Sequence, residues 1–354
     1  MIELALTSEQ AMIRAAVERF AAEAASNGRV DPWSSFAELG WLGIGVREDA
    51  GGFGGPLETM VLMEGLGRGA VAAPYVAQAV FPGKILERAG RLDLLRELVN
   101  GEARYAVAYD EPGARSAPHV VTTTAERVPD GYVLRGRKTH VLAAGGAETL
   151  LVSARTDDGV AIFAVPVEDF GLLRRDYVGE DGRDVAEIEL DSVGVEPPGM
   201  IAGPEHGLAV LEYAFDHALG ALCAEAVGVM TTMHETTVEY LKQRTQFGVP
   251  IGSFQALQHR AAEMYVELEL ARSMAHLAAL TLAADPPAPE RRRALSAAKV
   301  QIARSGRFVG QNAIQLHGAI AMTEEYKLGQ YFKRMTVLER LLGDADFHLQ
   351  RYLS

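Results

Sequence analysis

The spacing of apolar residues changes period twice along this chain, and that double change restricts it to helices, then strands, then helices. From Thr7 to about Arg104 apolar residues recur at three-and-four spacing. The run opens at Thr7-Ser8-Glu9-Gln10, a capping-box pattern, ahead of Met12, Ile13, Ala16 and Val17. From about Tyr105 to Pro204 short β-branched runs bounded by turn residues take over. Residues 120–124 lead to Asp130-Gly131 and then Tyr132-Val133-Leu134, while 150–152 and 160–163 flank Asp157-Asp158-Gly159. No strand alternates with a helix here, which argues against a Rossmann sheet and for a compact antiparallel β domain. Helical spacing returns after about Glu205, in segments 207–243, 253–284, 288–317 and 335–352. On the second, Phe254, Leu257, Ala261, Met264, Leu268 and Ala271 mark one buried face, and Asp285-Pro286-Pro287-Ala288-Pro289 forces a break before the third. The expected fold is α+β and multi-domain: an N-terminal helical domain (1–104), a middle antiparallel β domain (105–204) and a C-terminal four-helix bundle (205–354).

Composition narrows the function. At 354 residues and 48% hydrophobic content the chain can fill a large core, and a net charge of −13 opposes binding to nucleic acid or an anionic membrane. The tightest basic cluster, Arg291-Arg292-Arg293, is expected at a solvated helix start. No apolar run of membrane-spanning length and no leader pattern is present, so a cytoplasmic protein is expected. The lone Cys223, in an apolar helical pattern, reads as a buried structural thiol, and no metal site is expected. Gly51-Gly52-Phe53-Gly54-Gly55 follows no strand and precedes no Lys-Ser/Thr, so it reads as a loop rather than a phosphate cradle.

Arg244-Thr245-Gln246-Phe247-Gly248-Val249-Pro250-Ile251 runs into Phe254-Gln255 and His259. Other signatures stand in order around it: Gly40-Trp41-Leu42-Gly43, Glu111-Pro112-Gly113-Ala114, Gly136-Arg137-Lys138, and Gln315-Leu316-His317-Gly318 ahead of Thr323-Glu324-Glu325-Tyr326. Over essentially its whole length the chain resembles the acyl-CoA dehydrogenase family, and in particular a bacterial subunit of a heteromeric member. Physically, Arg244 presents a guanidinium fork suited to pyrophosphate, although by itself it also reads as a surface arginine in a turn. Gly318 allows close backbone approach beside the Gln315 amide, or simply caps a helix. The resemblance implies FAD as cofactor, held between subunits, with Arg244, Gln246, Phe247, Gln315 and Gly318 facing the ADP half of a neighbour's FAD and Ser116 contacting the chain's own. It also implies an acyl-CoA substrate, oxidised to the trans-2-enoyl thioester, and a homo- or hetero-oligomer, with lipid or steroid catabolism as the setting.

Several positions depart from the family pattern. The catalytic Glu expected after the Gln315 motif falls on Leu342. In a second branch of the family it lies 26 positions before the motif arginine, which falls on Ala218. The catalytic base is therefore unassigned, with Asp344, Glu339, Asp216 and His140 the nearest titratable groups. The family's Thr-Glu-Pro-x-Ala-Gly-Ser-Asp reads Asp110-Glu111-Pro112-Gly113-Ala114-Arg115-Ser116-Ala117, and its Trp-Ile-Thr-Asn reads His140-Val141-Leu142-Ala143. Three readings follow: an active FAD-dependent acyl-CoA dehydrogenase, a non-catalytic subunit completing a partner's FAD site, or a flavin monooxygenase or oxidase on the same scaffold.

Overall fold

The computed structural model describes residues 6–27, 32–323 and 325–354. Among these the first helices are α1 (Ser8–Asn27), α2 (Trp33–Glu38), α3 (Pro56–Arg68), α4 (Phe81–Arg88) and α5 (Leu92–Val99). Eight strands follow: β1 (Tyr105–Ala108), β2 (Thr124–Val128), β3 (Gly131–Leu142), β4 (Thr149–Arg155), β5 (Val160–Pro166), β6 (Leu172–Val178), β7 (Asp184–Val195) and β8 (Met200–Ala202). The chain ends in α6 (Gly207–Gln243), a β9–β10 hairpin (Thr245–Gln246 and Val249–Pro250), α7 (Gln255–Ala284), α8 (Ala288–His317), α9 (Leu328–Arg340) and α10 (Ala345–Leu353). These elements form two compact units: Met1–Val30, Pro56–Val71 and Leu219–Ser354 in one, Asp31–Gly55 and Ala72–Ala218 in the other.

The second unit is built on one sheet, in the order β6-β7-β3-β2-β4-β5-β8, with β1 on β4. Its core is small and branched: Ala106, Ala108, Leu134, Leu150, Val152, Phe163, Val165, Ile188 and Leu190 are all buried. The sheet is antiparallel except that β1 runs parallel to β4 along its length and β2 touches β4 in parallel at Thr124. Residues 120–123, expected to begin a strand, do not pair in the sheet. The Thr122 and Thr123 N–H groups instead donate to the Glu111 carboxylate, at 2.7 and 3.0 Å. The Gly51–Gly55 stretch is a loop whose glycines serve packing, since a Cβ on Gly52 would lie 2.2 Å from the Val46 carbonyl oxygen.

The helical expectations for 207–243 and 288–317 coincide with α6 and α8. Along α7 the buried positions are Met264, Leu268, Ala271, Ala275, Ala278, Ala279 and Leu282, one stripe at three-and-four spacing. The expected face begins later than its sequence pattern, because Phe254 is exposed and Leu257 and Ala261 are only half-buried at the start of the helix. Where α3 crosses α6 the backbones nearly touch: a Cβ on Gly228 would meet the Glu64 carbonyl oxygen at 2.0 Å, and one on Gly67 the Glu225 carbonyl oxygen at 2.2 Å. A buried bidentate pair, Arg334 to Glu225 at 2.7 and 2.8 Å, joins α9 to α6 beside that crossing. The single helix expected over 335–352 is two helices, broken where Leu342 and Gly343 adopt φ of +55° and +99°. Arg291 is buried rather than solvated: its guanidinium donates back to the Pro286 carbonyl at 3.3 Å and closes the proline-rich turn.

Candidate functional site

At one end of the first unit two sequence motifs converge. The helix α6 stops at Gln243, and the chain turns through a hairpin whose two-residue loop is Phe247-Gly248, with φ of +53° and +81°. Two successive left-handed residues make the tight turn that suits the twist of a hairpin. This turn holds Arg244, Gln246 and Phe247 outward, and Phe247 is 91% exposed with its ring edge-on to Phe254 at 6.2 Å. Among the described residues the Arg244 guanidinium has no carboxylate partner. The second motif ends α8. Gln315 is exposed, and Gly318 caps the helix at φ +69° with open space where a Cβ would stand. Between these two residues His317 is buried, donates Nδ1 to the Ala313 carbonyl at 2.8 Å, and stacks on Tyr240 of α6 at 4.4 Å and 27°. Burial pushes the His317 pKa down, so the ring stacks as a neutral imidazole. That stack ties the end of α8 to the last turn of α6, four residues before Arg244, and brings Arg244 to Phe247 and Gln315 to Gly318 to one end of the bundle. The sequence motifs marked both ends but not the Tyr240–His317 contact between them. Glu324, in the stretch after Gly318, lies outside the described residues.

The base positions hold hydrocarbon. Leu342 is buried in the left-handed turn between α9 and α10, and its carbonyl accepts from His348 Nε2 at 2.8 Å. Lys299, fully buried on α8, donates Nζ to the carbonyls of Leu338 at 2.5 Å and Leu341 at 2.8 Å. Burial lowers the Lys299 pKa to about 8 and raises that of neighbouring Cys223 to about 11, so the thiol stays protonated. Ala218 is also buried, on α6. The nearby titratable groups have other duties. Asp344 caps α10 by accepting from Phe347 N at 2.9 Å, Glu339 pairs with Arg307, and Asp216 is buried.

In the second unit the loop after β1 carries the remaining candidates. Its anchor is a buried ion pair: Lys138 Nζ lies 2.7 Å from Glu111 Oε1 and also donates to Ser153 Oγ at 3.0 Å. Burial pushes the Glu111 carboxyl up, but the Lys138 charge and the hydrogen bonds from Lys138, Thr122 and Thr123 override it and bring the pKa down to about 2. The sequence signal was a lysine at an inward-facing position of β3, four residues after buried Leu134. From this anchor the loop turns through Gly113, Arg115 and Ser116, at φ of +85°, +51° and +65°. Asp110 Oδ1 accepts from the Ser116 and Glu111 N–H groups, both at 3.0 Å, and Oδ2 lies 3.4 Å from Ser116 Oγ. His140 stands in a β-bulge of β3 against β7, at φ +51°, and its Nδ1 lies 3.0 Å from the Thr139 hydroxyl, which donates to Glu187 at 2.6 Å. Leu142 is half-buried.

An exposed guanidinium and an open glycine backbone stand at one end of the helical unit, in a chain whose element order is helices, sheet and helices. Family profiles match it in three consecutive pieces: the acyl-CoA dehydrogenase N-terminal domain over residues 7–101, the middle domain over 106–193 and the C-terminal domain over 205–352. The chain belongs to the acyl-CoA dehydrogenase family, whose cofactor is FAD. It is 31% identical to the probable acyl-CoA dehydrogenase YngJ of Bacillus subtilis, over 98% of this chain and 97% of that protein. Among solved structures it is similar to a Tcur3481-Tcur3483 steroid acyl-CoA dehydrogenase variant, with a TM-score of 0.86 and 30% identity over 97% of this chain and 96% of that one. It is likewise similar to the FAD complex of PigA, with a TM-score of 0.89 and 26% identity over 98% and 97% of the two chains. No helix among the described residues is long and apolar enough to cross a membrane.

The residues fit FAD unevenly. Arg244 is an exposed cation and Gly318 an open stretch of backbone, the groups that the family resemblance assigns to the ADP half. In the β unit the Ser116 amide is already taken by Asp110, and the 140–143 stretch offers an imidazole and aliphatic side chains but no indole.

Proposed function

We propose that this chain is the non-catalytic half of a two-chain acyl-CoA dehydrogenase, whose second, glutamate-bearing chain supplies the base for α,β-dehydrogenation of an acyl-CoA thioester to the trans-2-enoyl thioester. The observation that carries this reading is Leu342. It is buried, its carbonyl is bonded, and no carboxylate stands free in the turn that holds it. A base must reach the α-proton of the substrate, and a hydrocarbon side chain accepts none.

What the chain contributes is grip and exclusion. Arg244 places a forked cation for a pyrophosphate, Gln315 offers an amide, and Gly318 lets the backbone approach the nucleotide. Bound FAD supplies the hydride acceptor of the reaction. Leu342 keeps water and charge out of the corresponding place in this chain. A partner is favoured by the uncovered face of α7, where Val266, Leu270, Leu277 and Leu280 repeat at helical spacing and are each 44–56% exposed. The structural relative whose description names two chains, Tcur3481-Tcur3483, is a steroid acyl-CoA dehydrogenase, and a bulky acyl-CoA of that class is the substrate we assign to the assembly.

The test is purification of the chain alone and after co-expression with a glutamate-bearing family member encoded beside it. FAD is counted at 450 nm and dye reduction by acyl-CoA is measured. Turnover and FAD should appear only in the pair. Acyl-CoA-dependent dye reduction by the chain alone would overturn the reading in favour of a self-sufficient dehydrogenase. Oxygen-dependent hydroxylation with supplied reduced flavin would favour a monooxygenase.

A further inference from the structure

In the 110–116 loop two backbone donors, the Glu111 and Ser116 N–H groups, already hold an anion. Three residues in or near the left-handed region, Gly113, Arg115 and Ser116, curl the chain back on itself. Successive N–H groups in such a curl make a concavity that binds an anionic or carbonyl oxygen. The occupant here is internal: Asp110 Oδ1 takes the Ser116 and Glu111 N–H groups at 3.0 Å each, and Oδ2 faces Ser116 Oγ. The carboxylate cannot swing away freely. Its own carbonyl accepts from Thr139 N at 2.9 Å, and the next residue, Glu111, is locked to buried Lys138.

We propose that Asp110 is a built-in anion that fills the donor site of this loop and so excludes FAD from the β unit of this chain. The inference rests on the reading of the chain as an FAD-family subunit, and it assigns a specific residue to the asymmetry. An incoming flavin carbonyl or phosphate oxygen would have to displace two amide bonds to a charged acceptor and then sit against that charge. Both effects act in the same direction, because a second anion gains nothing from donors already used and is repelled by the first. A threonine hydroxyl at this position would be a neutral acceptor for these donors and would set no charge against an incoming anion. The bond from Thr139 N to the Asp110 carbonyl is main-chain, so substitution of the side chain leaves the loop anchored.

The experiment uses Asp110→Thr and Asp110→Asn in the full chain, each also combined with Arg244→Ala. FAD binding is read by flavin fluorescence quenching, and folding by circular dichroism and thermal midpoint. Asp110→Thr should bind FAD at least tenfold more tightly than wild type. Asp110→Asn, which removes the charge but keeps an amide oxygen for the same donors, should gain less. The tenfold gain should persist against the Arg244→Ala background, since it arises in the β unit. In the co-purified pair, Asp110→Thr should raise the FAD content. A folded Asp110→Thr chain with unchanged FAD affinity, or a wild-type chain that binds FAD as tightly as Asp110→Thr, overturns the inference. Failure of the two-chain reading is seen separately, as dye reduction by wild type alone.

Discussion

Replacing Lys138 by methionine removes one end of an ion pair that lies wholly inside the β unit, and the structure sets the size of the effect. The ammonium and the Glu111 carboxylate are 2.7 Å apart with both side chains essentially inaccessible, and removing one partner of such a pair costs about 3–5 kcal/mol. Lys138→Met leaves Glu111 charged but still held by Thr122 N, the Thr122 hydroxyl and Thr123 N, so its cost should fall near 3 kcal/mol. Glu111→Gln is worse placed. Donors lie against both carboxylate oxygens, so one amide N–H must face another donor, and a cost near 5 kcal/mol is expected. In the double variant the amide nitrogen can face methionine while its oxygen keeps the threonine donors. The two substitutions should therefore compensate, with a coupling energy of about 2 kcal/mol. Urea unfolding followed by tryptophan fluorescence reads the right unit, because the only two tryptophans, Trp33 and Trp41, are both buried within it. Additivity of the two single substitutions within about 0.5 kcal/mol would refute the reasoning.

Gly228→Ala should destabilise the helical unit by about 3 kcal/mol, measured by urea denaturation, because its methyl would collide with rigid backbone at Glu64 rather than with a movable side chain. His348 is buried beside Lys299 and Arg351. Burial and then the Lys299 charge hold its pKa well below the ordinary value, so only the unfolded chain gains a proton near pH 6. Stability should fall as pH drops below about 6.5, and His348→Gln should flatten that slope in pH-dependent thermal melts. Arg244→Ala in the co-purified pair should weaken FAD retention by about tenfold or more, as loss of a charge-assisted phosphate contact implies, and Arg244→Lys should recover only part because it lacks the planar fork. Equal FAD content in wild type and Arg244→Ala would place the nucleotide elsewhere.

How far the sequence reached depended on the range of the interaction involved. Periodicity placed α6 and α8 because a helix facing a core writes its burial into its own spacing, and the Asp285-Pro286-Pro287 break needed no partner to be read. It failed over 335–352, where the apolar pattern continues while the backbone turns at Leu342. The turn is held by Lys299 and His348, and Lys299 lies more than thirty residues upstream. It failed again at residues 120–123, whose β-branched composition suits a strand but where Glu111 claims the Thr122 and Thr123 amides. In both places a buried charged side chain captures backbone groups that local propensity would have given to regular structure. The site divides along the same line. The exposure of Arg244 and the open backbone of Gly318 could be read from a turn motif and a helix end alone. The Asp110 substitution was visible as a departure from a motif, but its meaning was not, since the carboxylate acts on Ser116 through a curl of left-handed residues that only three-dimensional geometry reveals. A substitution that looks like decay of a cofactor contact is, in the folded loop, a new set of bonds. The proposed exclusion of flavin from this chain therefore has a structural basis that a single substitution tests.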